Sequence, residues 1–125
     1  MKRFGLTLCL LAMLLPLSVS AQSERELLKR LPPKYRDWLE RDVVYIISAT
    51  EREVFLKLET DRERETFISA FWKQRDPNPN FPENVYKKEH YRRLEYVNKW
   101  FGRDSPSPGW RTDMGRIYIT LGEPK

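Results

Sequence analysis

Cysteine and histidine are almost missing: the 125 residues contain one of each. A lone Cys cannot build a disulfide framework, and a Cys/His zinc site needs more ligands than these. Long apolar runs are scarce too, with a single one at residues 4–17, whereas a polytopic membrane bundle needs several spans. The first 21 residues hold 14 of the roughly 50 hydrophobic ones, leaving about 35% over the other 104, low for a self-sufficient core. Length bounds the chain to one domain. A multidomain enzyme, a disulfide-stapled mini-protein and a polytopic membrane protein are therefore excluded, and what remains is a small, basic chain of formal charge +5.

The one apolar run reads as an address. Lys2 and Arg3 form a positive start, residues 4–17 an apolar stretch broken by Gly5, Thr7 and Pro16, and Val19-Ser20-Ala21 a small-residue cleavage site. This is the pattern of a secretory signal peptide cleaved after Ala21, and it is too short to cross about 30 Å of hydrocarbon as a membrane helix. Cys9 lies inside it and follows Leu8, not the small residue a lipoprotein site requires. The expectation is an exported protein, periplasmic or extracellular, with no transmembrane segment after cleavage and no thiol chemistry.

Behind the leader, three Ser/Thr-x-x-Glu capping boxes, Ser23/Glu26, Thr50/Glu53 and Thr60/Glu63, predict helix starts. Pro32-Pro33 stops the first helix, and a second begins near Pro33. Tyr35, Trp38, Leu39, Val43, Ile46 and Ile47 recur at helical spacing, although the β-branched residues at 43–47 leave a strand open. Phe67, Ile68, Phe71 and Trp72 line a fourth helix. Residues 76–82, with three prolines, form an irregular connector. A long helix from Glu83 to about Phe101 carries Tyr86, His90, Leu94, Val97 and Phe101 on one face and a Glu89–Arg93 pair at i,i+4. Residues 116–121 alternate Arg, Ile, Tyr, Ile, Thr, Leu, the signature of a strand closed by Gly122-Glu123-Pro124. A lone strand cannot satisfy its own backbone, so the pattern predicts a sheet whose other strands lie elsewhere. The fold class read from this is mostly α, α+β if complete: about five helices and then the first strand of a sheet truncated at the C-terminus. The domain organisation is 1–21 leader, 22–33 helix and Pro linker, and 34–125 domain.

Gly109-Trp110-Arg111-Thr112-Asp113 is the motif that names the GWxTD domain family, and its surroundings resemble that family as well. Lys34 to Leu39, Phe71 to Pro77, Pro82-Glu83-Asn84, Glu89 to Arg93, Gly115 to Ile119 and Leu121 to Pro124 all follow the family pattern, covering nearly everything behind the leader. Met114 departs from it, where a polar or basic residue is expected, and family members continue beyond the Gly-Glu-Pro turn. The resemblance implies an exported protein of bacterial type and carries no established activity.

Several groups could carry chemistry. His90 would serve as a general base if Asp76 or Asp113 oriented it; the alternative is a half-buried structural histidine. Asp76-x-Asn78-x-Asn80 imitates the start of a calcium loop, then fails at Phe81 and Lys87, so no metal and no cofactor are expected. Trp110, Asp113 and Arg116 either line a cleft for a glycan or peptide or lock the fold, with Arg75, Asp76, Asp113 and Arg116 forming Arg–carboxylate pairs and Trp110 acting as a buried plug whose loss costs about 3 to 5 kcal/mol. Lys87, Lys88, Arg92 and Arg93 with Tyr86 and Tyr91 imitate a nucleic-acid-binding helix, but export argues against nucleic acid and leaves an anionic envelope surface or a solvated face. Two functions follow as expectations: a non-catalytic module binding a protein or an envelope polymer, or a hydrolase of envelope polymers built on His90 with Asp76 or Asp113.

Overall fold

The structure is a computed structural model and describes the backbone of residues 16–125 and the side chains of residues 21–125. Most of the leader falls outside the described residues. Two compact units divide between Arg30 and Leu31. The first contains α1 (Pro16–Arg30), which starts earlier than the Ser23 box predicts, so that Ser23 sits inside the helix instead of capping it. Its end at Arg30, just before Pro32-Pro33, is the expected one.

The second unit holds five more helices. Pro33 opens α2 (Pro33–Asp37), where a fixed φ suits a first helical position. The helix runs on as a π-turn, Trp38–Asp42, closed by the Val43 amide donating to the Trp38 carbonyl at 3.1 Å. Residues 43–47 are then neither the helix nor the strand that the sequence left open. They are turns in which the Ile46 and Ile47 amides both donate to the Val43 carbonyl.

Three local caps fix the next elements. Ser48 accepts from the Glu51 amide at 3.1 Å and starts α3 (Ala49–Lys57), two residues before the predicted Thr50. Thr60 and Glu63 make the predicted capping box in full and start α4 (Asp61–Arg75). Asn84 caps α5 (Val85–Trp100) through the Lys87 amide, and its amide group also donates to the Trp72 carbonyl at 2.7 Å, tying the start of α5 to α4. The Pro/Asn connector before it contains an Asx turn, the Asn78 amide donating to Asp76 at 3.0 Å.

An aromatic core lies between α2, α3 and α4. Trp38 packs on Phe55 at 4.9 Å and edge-on to Phe71 at 5.2 Å, and Phe55 and Phe71 are fully buried. Trp72 extends this core to His90 and Tyr91 of α5, each at 5.5 Å. Further along the same face of α5, Leu94 and Val97 form a second buried cluster with Tyr118 and Ile119, against which Tyr45, Phe101 and Trp110 are packed.

The predicted strand is the main correction. Residues 113–121 are a helix, α6 (Asp113–Leu121), preceded by a 3-10 turn at Gly109–Arg111. Thr112 caps it by accepting from the Gly115 amide at 3.0 Å, Asp113 puts a negative charge in its first turn, and Gly122 at φ 82° stops it. A helix satisfies its own backbone, which a lone strand cannot do. Ile119 and Tyr118 face the core while Ile117 and Leu121 stay exposed, so the alternating residues divide between two helix faces. The described residues contain six α-helices and no strand, and the argument from an unpaired strand to a missing sheet lapses.

Candidate functional site

A cavity opens beside His90. It measures about 350 Å³ and is lined by Ile46 from the 43–47 turn, Pro77 from the connector, Val85, Tyr86, Glu89, His90 and Arg93 from α5, and Ile119 and Thr120 from α6. Four separate pieces of chain therefore build it. Arg75 sets one edge: its guanidinium donates to the Ile46 carbonyl at 3.2 Å and to Glu51 at 2.9 Å while lying 3.6 Å from the centre of the Phe71 ring. Arg93 sets the other, pairing with Glu89 at 2.9 Å and donating to the Ile119 carbonyl at 3.2 Å. Glu89 also accepts from Arg92, and these bonds pull its carboxyl down to about 2.

His90 is buried at 5% exposure and its Nε2 lies 2.6 Å from the Asp42 main-chain carbonyl. A carbonyl oxygen only accepts, so Nε2 carries the proton and the neutral ring keeps its lone pair on Nδ1. Burial pushes the imidazole below its ordinary pKa; the Asp42 carbonyl opposes this and Arg93 adds to it. The Asp42 carbonyl is free for this bond because the helix ends at Asp42. In a continuing α-helix the Ile46 amide would take the Asp42 carbonyl, but here that amide donates to Val43.

No hydrogen bond or ion pair joins His90 to Asp76 or Asp113 among the described residues, so the acid–base pair that the sequence suggested is not assembled. Asp76 is occupied by its Asx turn and Asp113 lies exposed in the first turn of α6. The Arg–carboxylate locks are corrected as well: Arg75 pairs with Glu51, not Asp76, and among the described residues Arg116 pairs with no carboxylate. The basic helix face is largely neutralised from within, Lys88 by Glu83 and Arg92 and Arg93 by Glu89. No group of three or more His, Cys, Asp or Glu able to hold a metal occurs among the described residues.

Because His90 binds its proton less readily folded than unfolded, the unfolded chain takes up more protons as pH falls below the ordinary value of 6.5. Stability is thus fully present above that value and is lost below it. Glu89, with a lowered carboxyl, adds a second loss between 4.5 and about 2. Urea titrations of His90→Gln at successive pH values should show the first loss removed and the second retained; an unchanged profile near pH 6 would refute the assignment.

Residues of the GWxTD motif take part in packing and capping the turn before α6. Gly109 lies on the backbone of α5, where a Cβ would come 1.8 Å from the Val97 carbonyl oxygen. Trp110 is half-buried, not a plug: its amide donates to Asn98 at 3.0 Å, its carbonyl accepts from the Tyr45 hydroxyl at 2.8 Å, and its ring packs 6.3 Å from that of Tyr45. Thr112 donates its hydroxyl to the Gly109 carbonyl at 2.7 Å while capping α6. Asp113 complements the helix N-terminus. Gly115 completes the unit, since a Cβ there would meet the Gly109 carbonyl oxygen at 1.9 Å.

What these elements define is a small helical domain in which a turn motif docks a terminal helix on α5 beside an apolar groove. The chain matches the GWxTD domain over residues 26–125 and belongs to that family. No curated protein and no solved structure matches it. No helix among the described residues is long and apolar enough to cross a membrane.

Sequence reasoning found His90 and the Glu89–Arg93 pair but missed the rest of the groove. Ile46, Pro77, Val85 and Thr120 carry no chemical signature, and Asp42 acts through a main-chain carbonyl that any residue possesses.

Proposed function

We propose that this is an exported, non-catalytic binding module that holds an apolar segment of a protein or envelope polymer in the groove beside His90. The observation that carries the reading is the groove's composition. Ile46, Pro77, Val85 and Ile119 offer apolar surface, Tyr86 an aromatic edge, and the polar groups are already engaged by the protein itself. Such a site supplies area and shape and few free polar partners, which suits binding better than bond cleavage. The leader pattern supports export.

A hydrolase reading keeps one observation in its favour: His90 lines the groove as a neutral imidazole with a free-base nitrogen. Glycan and peptide fragments of cell-envelope polymer, titrated into the protein and followed by amide NMR shifts, separate the two. Binding should perturb Val85, His90 and Thr120, Val85→Trp should abolish it by filling the groove, and the fragments should emerge uncleaved. Turnover that falls at least about 100-fold in His90→Gln would establish the hydrolase instead, and no perturbation by any fragment would remove the groove from consideration.

A further inference from the structure

Charge in this chain is segregated. Residues 22–91 carry fourteen Lys and Arg against fourteen Asp and Glu, whereas residues 92–125 carry seven against four. With Glu89 counted beside the Arg92 and Arg93 that it pairs, residues 89–125 carry seven against five, an excess of two out of the three behind the leader. The same stretch exposes five large apolar side chains, Tyr96 and Trp100 on α5 and Met114, Ile117 and Leu121 on α6. Those of α6 recur at i, i+3 and i+7, one stripe of a helix. The two helices meet here through Tyr96, stacked 4.7 Å from Tyr118.

Cations stand directly against this apolar surface. The Arg103 guanidinium lies 4.4 Å from the centre of the Trp100 ring and Lys99 Nζ lies 5.3 Å from it. Arg103 Nε donates to the Lys99 carbonyl at 3.1 Å, and among the described residues neither Lys99 nor Arg103 pairs with a carboxylate. The cavity beside His90 is lined by none of Tyr96, Trp100, Met114, Ile117 and Leu121.

We propose that this face is a membrane-surface site for an anionic lipid bilayer. Trp100, Tyr96 and the α6 stripe enter the headgroup–acyl boundary, and Lys99 and Arg103 meet lipid phosphates. An apolar face rimmed by unneutralised Lys and Arg, with Trp and Tyr at its edge, has the composition of an interfacial anchor. An acidic protein would be attracted by the same charges and is separated from lipid by the test below. The face shares no lining residue with the groove, so the proposal holds whether or not the groove binds a ligand.

The test reads Trp100 itself, because the full chain also carries the apolar residues 4–17, which contain no Trp. Vesicles of phosphatidylcholine with about 30% phosphatidylglycerol, brominated in the acyl chains, should quench about half of the emission that Trp100→Phe removes. Unbrominated control vesicles should not quench it. Neutral vesicles and half-molar salt should each weaken partitioning by about tenfold or more. Ile117→Asp with Leu121→Asp should abolish the quenching without changing the circular dichroism, since both residues are exposed. Vesicle binding that leaves Trp100 unquenched would place the contact elsewhere and overturn the proposal. So would equal quenching by neutral vesicles, or a Trp100 response to soluble polyglutamate with none to lipid.

Discussion

Gly109→Ala is expected to lower the free energy of unfolding by about 3 kcal/mol, the upper part of the range for forcing atoms into a packed interior. The added carbon would stand 1.8 Å from the Val97 carbonyl oxygen, 2.5 Å from its carbon and 2.9 Å from Asn98 Cα. All three belong to the backbone of α5, so no side chain can swing aside. The 3-10 turn must lift away, breaking the Trp110 amide bond to Asn98 and the Tyr45 bond to the Trp110 carbonyl. Urea denaturation gives the size of the loss, and hydrogen exchange gives its place: α6 amides should lose protection while those of α4 keep it. A fully stable Gly109→Ala protein would mean that the turn does not lie on α5.

The second large effect belongs to Trp72, not to the tryptophan in the motif. Trp72 is 4% exposed and touches Phe71, His90 and Tyr91, with ring centres 5.0 to 5.5 Å apart. Trp72→Ala should cost about 3 to 5 kcal/mol as a buried aromatic deletion. It should also let water reach His90 and bring the imidazole back toward its ordinary pKa, which a proton NMR titration would record. Trp110→Ala, at a half-buried ring, should cost about 2 kcal/mol. Reversal of that order would show the motif tryptophan to be the stronger core element.

These effects bear on what the sequence could disclose. The Thr60 capping box was legible because its partners lie three residues apart, and the α5 face because one helix sets its own period. The ends of α6 were also printed in the chain, Thr112 three before Gly115 and Gly122 at the stop, yet six alternating residues suit a strand as well as two helix faces. Nothing local decides between them; the packing of Tyr118 and Ile119 on Leu94 and Val97 does. The groove was less legible still. His90 meets Asp42 across 48 residues, and Trp110 meets Tyr45 across 65. Gly109 could be read as a turn residue, but the helix backbone pressing on it appears only after folding.

The π-turn at Trp38–Asp42 makes counting as important as chemistry. Such a turn spends one residue more than an α-helix over the same backbone ring. A deletion of one residue there would replace the wide ring by the regular ladder and rotate the Asp42 carbonyl and everything after it by about 100°. His90 would lose its acceptor without any change in its own identity. The anchoring of this histidine thus depends on the full length of the five-residue segment as much as on any side chain within it.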